Sequence, residues 1–261
     1  MKTYSFLYRM KLDFSGVATN HRFTLKCIPH GDERQDITDL EVTVTPDVKY
    51  EEGKDSFGNI YLFGHKEESH SSFAISVKGC AQTGKQEYVP QGKNEVPGMY
   101  LAESVYTKPG KNLQAYFQKH YKKMDKDLDT ALSFMHQLYA DFIYEPGATN
   151  VKTTAEEAIT LGRGVCQDYS HILIGLCQMA KIPARYVVGM IEGEGASHAW
   201  VEVCEDGRWY ALDPTNNLYV TDGHVKISQG RNYRDCIMNK GVFCGGGVQT
   251  QSVQVVLEQQ L

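Results

Sequence analysis

The hydrophobic period changes along this chain, and that change constrains the fold more than any other feature of the sequence. Between Tyr4 and Phe14 apolar residues alternate with mostly polar ones, which is the period of a half-buried strand. Turn-forming residues separate four further β-rich segments, at 21–28, 40–45, 59–64 and 72–78. This spacing is typical of an antiparallel β-sandwich, and it predicts an N-terminal all-β domain over residues 1–85.

Glycine and proline mark the end of this β-rich region. Seven of them fall between positions 83 and 110, and this density of structure breakers predicts a linker over residues 86–110. The chain of 261 residues is long enough for more than one domain, since a single domain usually takes about 100–200 residues. Residues 111–261 are therefore predicted to form a second domain.

Helical spacing of apolar residues begins in this second domain. It predicts helices over 128–142 and 166–181, and two overlapping capping boxes at 153–157 predict a short helix that ends at Leu161. Further β-rich segments follow, at 185–191, 198–205, 208–212 and 249–257. The second domain is therefore predicted to contain both helices and strands.

Charge and hydropathy exclude several classes of partner. The chain has 27 Lys and Arg against 32 Asp and Glu, a net charge of −5, and so no overall basic field for nucleic acid. The longest run free of polar residues, 241–248, is far shorter than the roughly 20 residues of a membrane helix. The first residues lack the apolar core of a signal peptide. We expect a cytoplasmic protein that binds neither nucleic acid nor membrane.

One of the seven cysteines stands at a chemically distinctive position. The cysteines form no C-x-x-C pair, which argues against a zinc or redox couple, but Cys166 lies where a helix is predicted to begin. Gly162 and Gly164 let the chain bend before it, which leaves the thiol near unpaired N–H groups and the positive end of the helix dipole. That position favours a thiolate. A buried structural cysteine is the more common fate, and it is our interpretation of Cys177.

A predicted hairpin aligns a histidine with a carboxylate. Asp206-Gly207 is a strong turn signal, and a two- or four-residue loop there places Trp200 opposite Asp213. His198 then lies on the same face as Asp213 in a diagonal position, roughly 7–8 Å away by backbone. The carboxylate can therefore orient the imidazole. Taken singly, the histidine would be an ordinary strand residue and the aspartate a turn former.

Four segments of the second half carry a resemblance to a known family. They read Gly-Val-Cys-Gln-Asp-Tyr-Ser-His at 164–171, Ile-Pro-Ala-Arg-Tyr-Val-Val-Gly at 182–189, Ser-His-Ala-Trp-Val-Glu-Val at 197–203 and Trp-Tyr-Ala-Leu-Asp-Pro-Thr at 209–215. In this order they closely resemble the core of the transglutaminase-like superfamily, in its bacterial cysteine protease type. The resemblance implies a papain-like α+β core in which Cys166 is the nucleophile, His198 the general base and acid, and Asp213 the orienting carboxylate.

The same resemblance implies a function. It points to an enzyme that attacks peptide or amide bonds of a peptide or protein substrate through a Cys-His-Asp triad, most simply a cysteine peptidase or amidase. Protein crosslinking by a transglutaminase is the other outcome of the same thioester, and a binding module that keeps the fold is the alternative without catalysis. The intact triad favours the enzyme, since a binding module has no chemical need for all three residues. The N-terminal β unit resembles the extra domain of bacterial members.

We expect neither a metal nor a cofactor. A zinc site built from Cys166, His198 and Asp213 is chemically conceivable, but the family pattern argues against it. A calcium loop over 125–136 lacks the loop glycine and the closing glutamate, so a helix N-terminus explains its aspartates better.

Several other residues receive structural interpretations. His171 is interpreted as a surface or core residue of its helix, because five positions separate it from the cysteine at the helix start. Asp168 is interpreted as a complement to the helix dipole. The oxyanion hole needs a second donor besides the backbone N–H of the cysteine, and the sequence identifies none, although Gln137 and Tyr144 lie upstream.

Overall fold

The computed structural model describes residues 1–93 and 95–260. The strands of the first part of the chain are β1 (Lys2–Leu25), β2 (Gln35–Thr45), β3 (Tyr50–Lys54), β4 (Ile60–Lys66), β5 (His70–Thr83) and β6 (Tyr88–Pro90). The α-helices are α1 (Lys111–His120), α2 (Asp127–Asp141), α3 (Ala155–Leu161) and α4 (Cys166–Met179). The later strands are β7 (Ile143–Tyr144), β8 (Arg163–Gly164), β9 (Ala184–Ile191), β10 (Gly193–Gly195), β11 (His198–Glu205), β12 (Arg208–Asp213), β13 (Leu218–Tyr219), β14 (His224–Gly230), β15 (Asn239–Gly245) and β16 (Gln249–Gln259).

The long strand β1 organises an antiparallel β-structure. Its first half pairs with β5 and β16, and its second half pairs with β4 and β15. The register on β5 shifts between Asp13 and Ala18, where β1 passes from one half to the other. His21 lies on the second half of β1, and Phe73 lies on β5, which pairs with the first half. Their rings are 4.7 Å apart, so the apolar faces of the two halves of this β-structure pack together. The two strands predicted at the N-terminus are thus one continuous strand.

The end of the chain also joins this first sheet. In the register of β16 on β1, Tyr4 faces Gln259, and β15 pairs with the second half of β1. The sequence assigns this tail to the second domain, because alternating valines mark a strand without naming its neighbour. The division into 1–85, 86–110 and 111–261 stays a prediction. In the structure, strands from both ends of the described chain are hydrogen-bonded to each other in the first sheet.

A second sheet carries the hairpin predicted from the sequence. Its order is β13-β12-β11-β9-β14, and β6, from the predicted linker, pairs with β12. Asp206 and Gly207 both have positive φ, as a tight hairpin turn requires. The register pairs Cys204 with Trp209 and continues to Val201 opposite Leu212. The hairpin and its register are therefore confirmed.

Helix α4 is the central helix of the second half. Twelve of its fourteen residues are buried, and it packs against β9, β11 and the other three helices. The helices predicted over 128–142, 166–181 and up to Leu161 are confirmed, and Thr154 caps α3 through a complete capping box with Glu157. Helix α1 was not predicted, because it is short and directly follows the breaker-rich segment. Over the described residues, no helix is long and apolar enough to cross a membrane.

Candidate active site

The start of α4 holds Cys166 in a fixed position. Asp168 accepts hydrogen bonds from the backbone N–H of Val165 at 2.8 Å and from the hydroxyl of Thr149 at 2.6 Å, and so caps the helix as a structural residue. A Cβ atom at Gly164 would overlap this carboxylate, so only glycine fits there. The thiol is partly exposed at the helix N-terminus, where the dipole favours a negative charge.

The other thiols differ from Cys166 in burial or in location. Burial raises the pKa of Cys27 to about 12 and raises the pKa of Cys177, Cys204 and Cys236 as well. Cys80 on β5 is partly exposed and Cys244 on β15 is exposed, both in the first sheet. The interpretation of Cys177 as a buried structural cysteine is confirmed.

We expect limited iodoacetamide treatment near neutral pH to alkylate Cys166 before any other cysteine. The thiol of Cys166 is partly exposed at a helix N-terminus and neighbours the His198 imidazolium, the surroundings in which reactive cysteines occur. Mass-spectrometric peptide mapping after short incubations identifies the first site modified. Alkylation of Cys80 or Cys244 while Cys166 stays unmodified would show that exposure alone controls reactivity.

The hairpin brings a histidine and an aspartate into direct contact. His198 begins β11, Asp213 ends β12, and the Nε2 atom of the former lies 2.8 Å from Oδ2 of the latter. This hydrogen bond is the one expected from the hairpin register. Burial lowers the pKa of His198, but hydrogen bonds to Asp213 and Cys166 outweigh it and raise the pKa to about 10. The imidazole is therefore positively charged at neutral pH.

The carboxylate of Asp213 is fully buried and surrounded by donors. Its Oδ1 accepts the backbone N–H groups of Thr215 at 3.0 Å and Asn216 at 3.2 Å, and its Oδ2 accepts the side-chain amide of Asn216 at 2.8 Å. Burial raises the pKa of Asp213, but the bonds from His198 and His224 hold it well below its usual range. The residue is thus a buried anion in direct contact with the His198 imidazole.

His224 is a site residue that the sequence analysis missed. Its Nε2 atom lies 3.0 Å from Oδ2 of Asp213, the same oxygen that His198 contacts. Strand β14 pairs with β9 and not with β12, so no hairpin register links the two positions. The ligand atoms of these three residues lie within 4.8 Å of one another, close enough to hold a transition-metal ion. Asp127 and Asp129 instead lie in the first turn of α2.

An open groove reaches His198 from the surface. It has a volume of about 670 Å³, and mostly aromatic or aliphatic side chains line it: Tyr139, Phe142, Tyr144, Tyr169 and Ile191. Burial and the neighbouring Cys166 raise the pKa of Tyr144, so its hydroxyl stays protonated at neutral pH. Gln137 lies outside this lining and donates to Asp141 at 2.8 Å. The groove is thus a partly aromatic space next to the histidine, with Thr215 and Asn216 as its further polar lining residues.

His171 belongs to the core. The side chain is fully buried, its Nε2 atom accepts the backbone N–H of Tyr233 at 3.1 Å, and its ring stacks on Tyr106. Burial lowers the pKa of His171 to about 3, so it stays neutral. The structural interpretation of this residue is confirmed.

The fold and the family comparison agree on the class of protein. Residues 114–214 match the model of the transglutaminase-like superfamily, and this span includes Cys166, His198 and Asp213. The resemblance deduced from the four sequence segments is therefore confirmed, as is the α+β fold class with a transglutaminase-like core.

Individual relatives match different lengths of the chain. An uncharacterized protein of Mycobacterium leprae (strain TN) is 34% identical over 122 residues, and the match spans 43% of this chain and 43% of that relative. An uncharacterized protein of Mycobacterium tuberculosis (strain ATCC 25618 / H37Rv) is 24% identical over 276 aligned positions, which cover 92% of this chain and 87% of the relative.

A solved structure shares the whole fold. The crystal structure of a "Putative Cysteine Protease" from Cytophaga hutchinsonii superposes with a TM-score of 0.79 at 23% identity, and the match covers 99% of this chain and 90% of that one. The β-structure of the first sheet and the transglutaminase-like core therefore occur together in another protein of the same fold.

Proposed function

We propose that this protein is a thiol-dependent acyl-transfer enzyme with Cys166 as nucleophile, His198 as general base and acid, and Asp213 as the orienting carboxylate. The observation that carries the proposal is the hydrogen bond between His198 and Asp213 at the end of an open groove, with Cys166 close enough to the same imidazole to raise its pKa. A cysteine peptidase or amidase is the simplest such enzyme. The cysteine protease name of the Cytophaga hutchinsonii protein supports the same class.

The proposed reaction has two stages. The Cys166 thiolate attacks the carbonyl carbon of a peptide or amide bond, and a tetrahedral oxyanion forms. The C–N bond then breaks as the His198 imidazolium gives its proton to the departing amine, which leaves a thioester on the sulfur. In hydrolysis, His198 accepts a proton from water as the water oxygen attacks the thioester carbon, and the C–S bond then breaks to release the carboxylic acid and restore the Cys166 thiolate beside the protonated His198.

The helix start also supplies an oxyanion donor. The first backbone N–H groups of a helix have no partner within it, and the N–H of Cys166 is one of these groups beside the sulfur. It can donate to the oxyanion that forms on the carbon bonded to the sulfur. This donor and the nucleophile therefore belong to one residue at the end of α4.

The groove favours peptide or protein substrates with apolar side chains near the scissile bond. Its lining residues carry no formal charge apart from the His198 imidazolium, and aromatic faces such as Tyr139 and Tyr144 are half exposed in it. Such faces pack well against apolar or aromatic groups.

All seven cysteines are unpaired, which supports the cytoplasm as the location.

Water is expected to be the main acceptor of the acyl group. Transfer to an amine requires that water be excluded and a lysine-like acceptor be admitted, whereas the groove is open to solvent. Incubation with a peptide mixture and a labelled primary amine should therefore yield mainly cleaved peptides. Mass spectrometry quantifies cleavage and amine incorporation in the same sample, and the Cys166→Ala variant gives the background of both.

Two results would change the assignment. If amine incorporation exceeds cleavage and disappears in Cys166→Ala, the protein is a transglutaminase. If neither product forms although iodoacetamide finds a reactive Cys166, the binding module that keeps the fold is supported and the peptidase is not.

A further inference from the structure

The short strand β7 borders the groove and bonds to β8 along one edge. The two strands are parallel, with Tyr144 opposite Gly164. The N–H of Ile143 donates to the carbonyl oxygen of Gly162 at 3.0 Å, and the N–H of Glu145 donates to that of Gly164 at 2.8 Å. Alternate residues of a strand bond to opposite sides, so the N–H and C=O groups of Tyr144 point away from β8.

This second edge of β7 is unpaired within the described part of the chain. Strand β7 pairs with β8 alone, and no hydrogen bond from another described residue reaches the backbone N–H or C=O of Tyr144. The edge is open to solvent, since Ile143 is 61% exposed and Tyr144 is 52% exposed. An exposed strand edge with unpaired N–H and C=O groups is a template on which another chain can pair.

The unpaired edge lies beside the candidate active site. The side chain of Tyr144 lines the groove together with His198. Gly164, the residue opposite Tyr144 on β8, precedes Cys166 by two positions. Paired strands lie about 4.8 Å apart, so a chain that pairs with Tyr144 runs within one strand spacing of the groove lining. The edge and the groove therefore form one continuous surface.

We propose that β7 binds the substrate as an added strand, in which the backbone N–H and C=O of Tyr144 each form a hydrogen bond with the main chain of an extended peptide next to the scissile bond. In this mode of recognition main-chain hydrogen bonds supply affinity, and the side chains of the peptide supply specificity. That the peptide is a substrate rests on the proposed function, whereas its binding to β7 rests on the unpaired edge.

Strand addition defines the class of substrate. A segment can pair with β7 only when its own N–H and C=O groups are not already bonded in a helix or a sheet. A main chain held on this edge also brings its own peptide bonds toward Cys166, whereas attack on a glutamine side chain needs the main chain to lie several bonds further away. The substrate is therefore an extended, unfolded or mobile segment that is attacked in its main chain.

The test attaches short peptides covalently to Cys166, so that occupancy does not depend on affinity. Acetyl-Ala-Phe-Ala vinyl sulfone places residues on the acyl side of the reacting carbon, and bromoacetyl-Ala-Phe-Ala-amide places them on the leaving-group side. Mass spectrometry confirms the modified residue. Nitrogen-15 NMR follows hydrogen exchange of the Tyr144 amide, which is assigned by its loss in the Tyr144→Pro variant. We expect this exchange to slow at least about tenfold in one of the two adducts.

Two further adducts of Cys166 are the controls. Iodoacetamide covers only the sulfur, and versions of both probes with every amide nitrogen methylated have no N–H groups with which to pair. Each should leave exchange of the Tyr144 amide within about twofold of the unmodified chain. Protection by neither peptide, or equal protection by the methylated probes, overturns the inference. If Cys166 reacts with none of these reagents, the nucleophile of the proposed function is wrong, and the added strand loses its role as substrate.

Two substitutions at one position separate the backbone from the side chain. Tyr144→Ala removes the ring and keeps the N–H, whereas Tyr144→Pro removes both, and proline is tolerated on a strand edge whose N–H faces solvent. In each variant the rate at which the protecting probe alkylates Cys166 is divided by the rate with iodoacetamide, so that a change in the thiol itself cancels. We expect this ratio to be about tenfold lower in Tyr144→Pro than in Tyr144→Ala.

Urea denaturation checks that the two variants keep the same fold. Tyr144→Pro should unfold at the same urea concentration as Tyr144→Ala, because the N–H that it lacks bonds to no described residue. Glu145→Pro loses the bond to Gly164 and should unfold at a lower concentration. Early unfolding of Tyr144→Pro would show that this N–H has a partner within the chain, and equal alkylation ratios in the two Tyr144 variants would show that the peptide does not use it. Either result overturns the inference.

Discussion

Replacing Cys166 by alanine is expected to reduce the rate of acyl transfer by about six orders of magnitude. The variant has no sulfur to form the thioester, and the remaining histidine and aspartate have no nucleophile to activate. The thiol is partly exposed at the first position of α4, so its removal leaves the helix core unchanged. Cleavage of a peptide that the native chain hydrolyses measures the loss, and circular dichroism checks the fold.

The matched control is a second cysteine on the same helix. Cys177 is fully buried against the core, and Cys177→Ala should lower the free energy of unfolding by about 1–2 kcal/mol because it leaves a small cavity. Its cleavage rate should stay within about twofold of the native rate, since Cys177 lies outside the groove. Activity that survives in Cys166→Ala and falls in Cys177→Ala would contradict the assignment of Cys166 as the nucleophile.

The parts of the site that could be predicted are those fixed by local sequence. The turn at Asp206-Gly207 adopts positive φ at both residues, and this single turn sets the register that places His198 beside Asp213. The glycine before Cys166 and the carboxylate of Asp168 define the start of α4 within five residues. Short-range stereochemistry decides both features, so they can be read without knowing the tertiary structure.

The parts that could not be predicted depend on contacts between distant segments. His224 reaches Asp213 only because β14 pairs with β9, at the end of the strand order opposite to β13. The tail strand β16 pairs with β1 from the other end of the chain. A hydrophobic period indicates that a strand is present, but it carries no information about which strand lies next to it.

A buried network of charges links the strands of the second sheet. Arg185 and Glu202 lie side by side on β9 and β11, each about 1% exposed, with a nitrogen to oxygen distance of 2.6 Å. Glu95 binds the same guanidinium at 2.6 Å, and Lys226 lies 3.3 Å from Glu202. These charges left water on folding, so each depends on its partners for compensation.

Replacing Glu202 by glutamine is expected to lower the free energy of unfolding by about 3 kcal/mol at pH 7. Burial raises the pKa of Glu202, but Lys226 and Arg185 more than offset this effect and lower it to about 2, from 4.5 for a free glutamate. The unfolded chain therefore binds more protons between these values. The contribution of Glu202 is fully present above about pH 5 and is lost as the pH falls toward 2.

Urea denaturation at a series of pH values measures this effect as the difference between the two proteins. The gap in unfolding free energy should be about 3 kcal/mol at pH 7 and should narrow steadily below pH 5, because protonation makes the native side chain as neutral as the glutamine. The control is Asp13→Asn, which breaks the pair with Lys11 that is half exposed on β1, and it should change stability by less than about 0.5 kcal/mol. A Glu202→Gln gap as small as that of the control would mean that Glu95 and Asp32 alone compensate the two buried cations. A gap that does not depend on pH would mean that the loss comes from packing and not from charge.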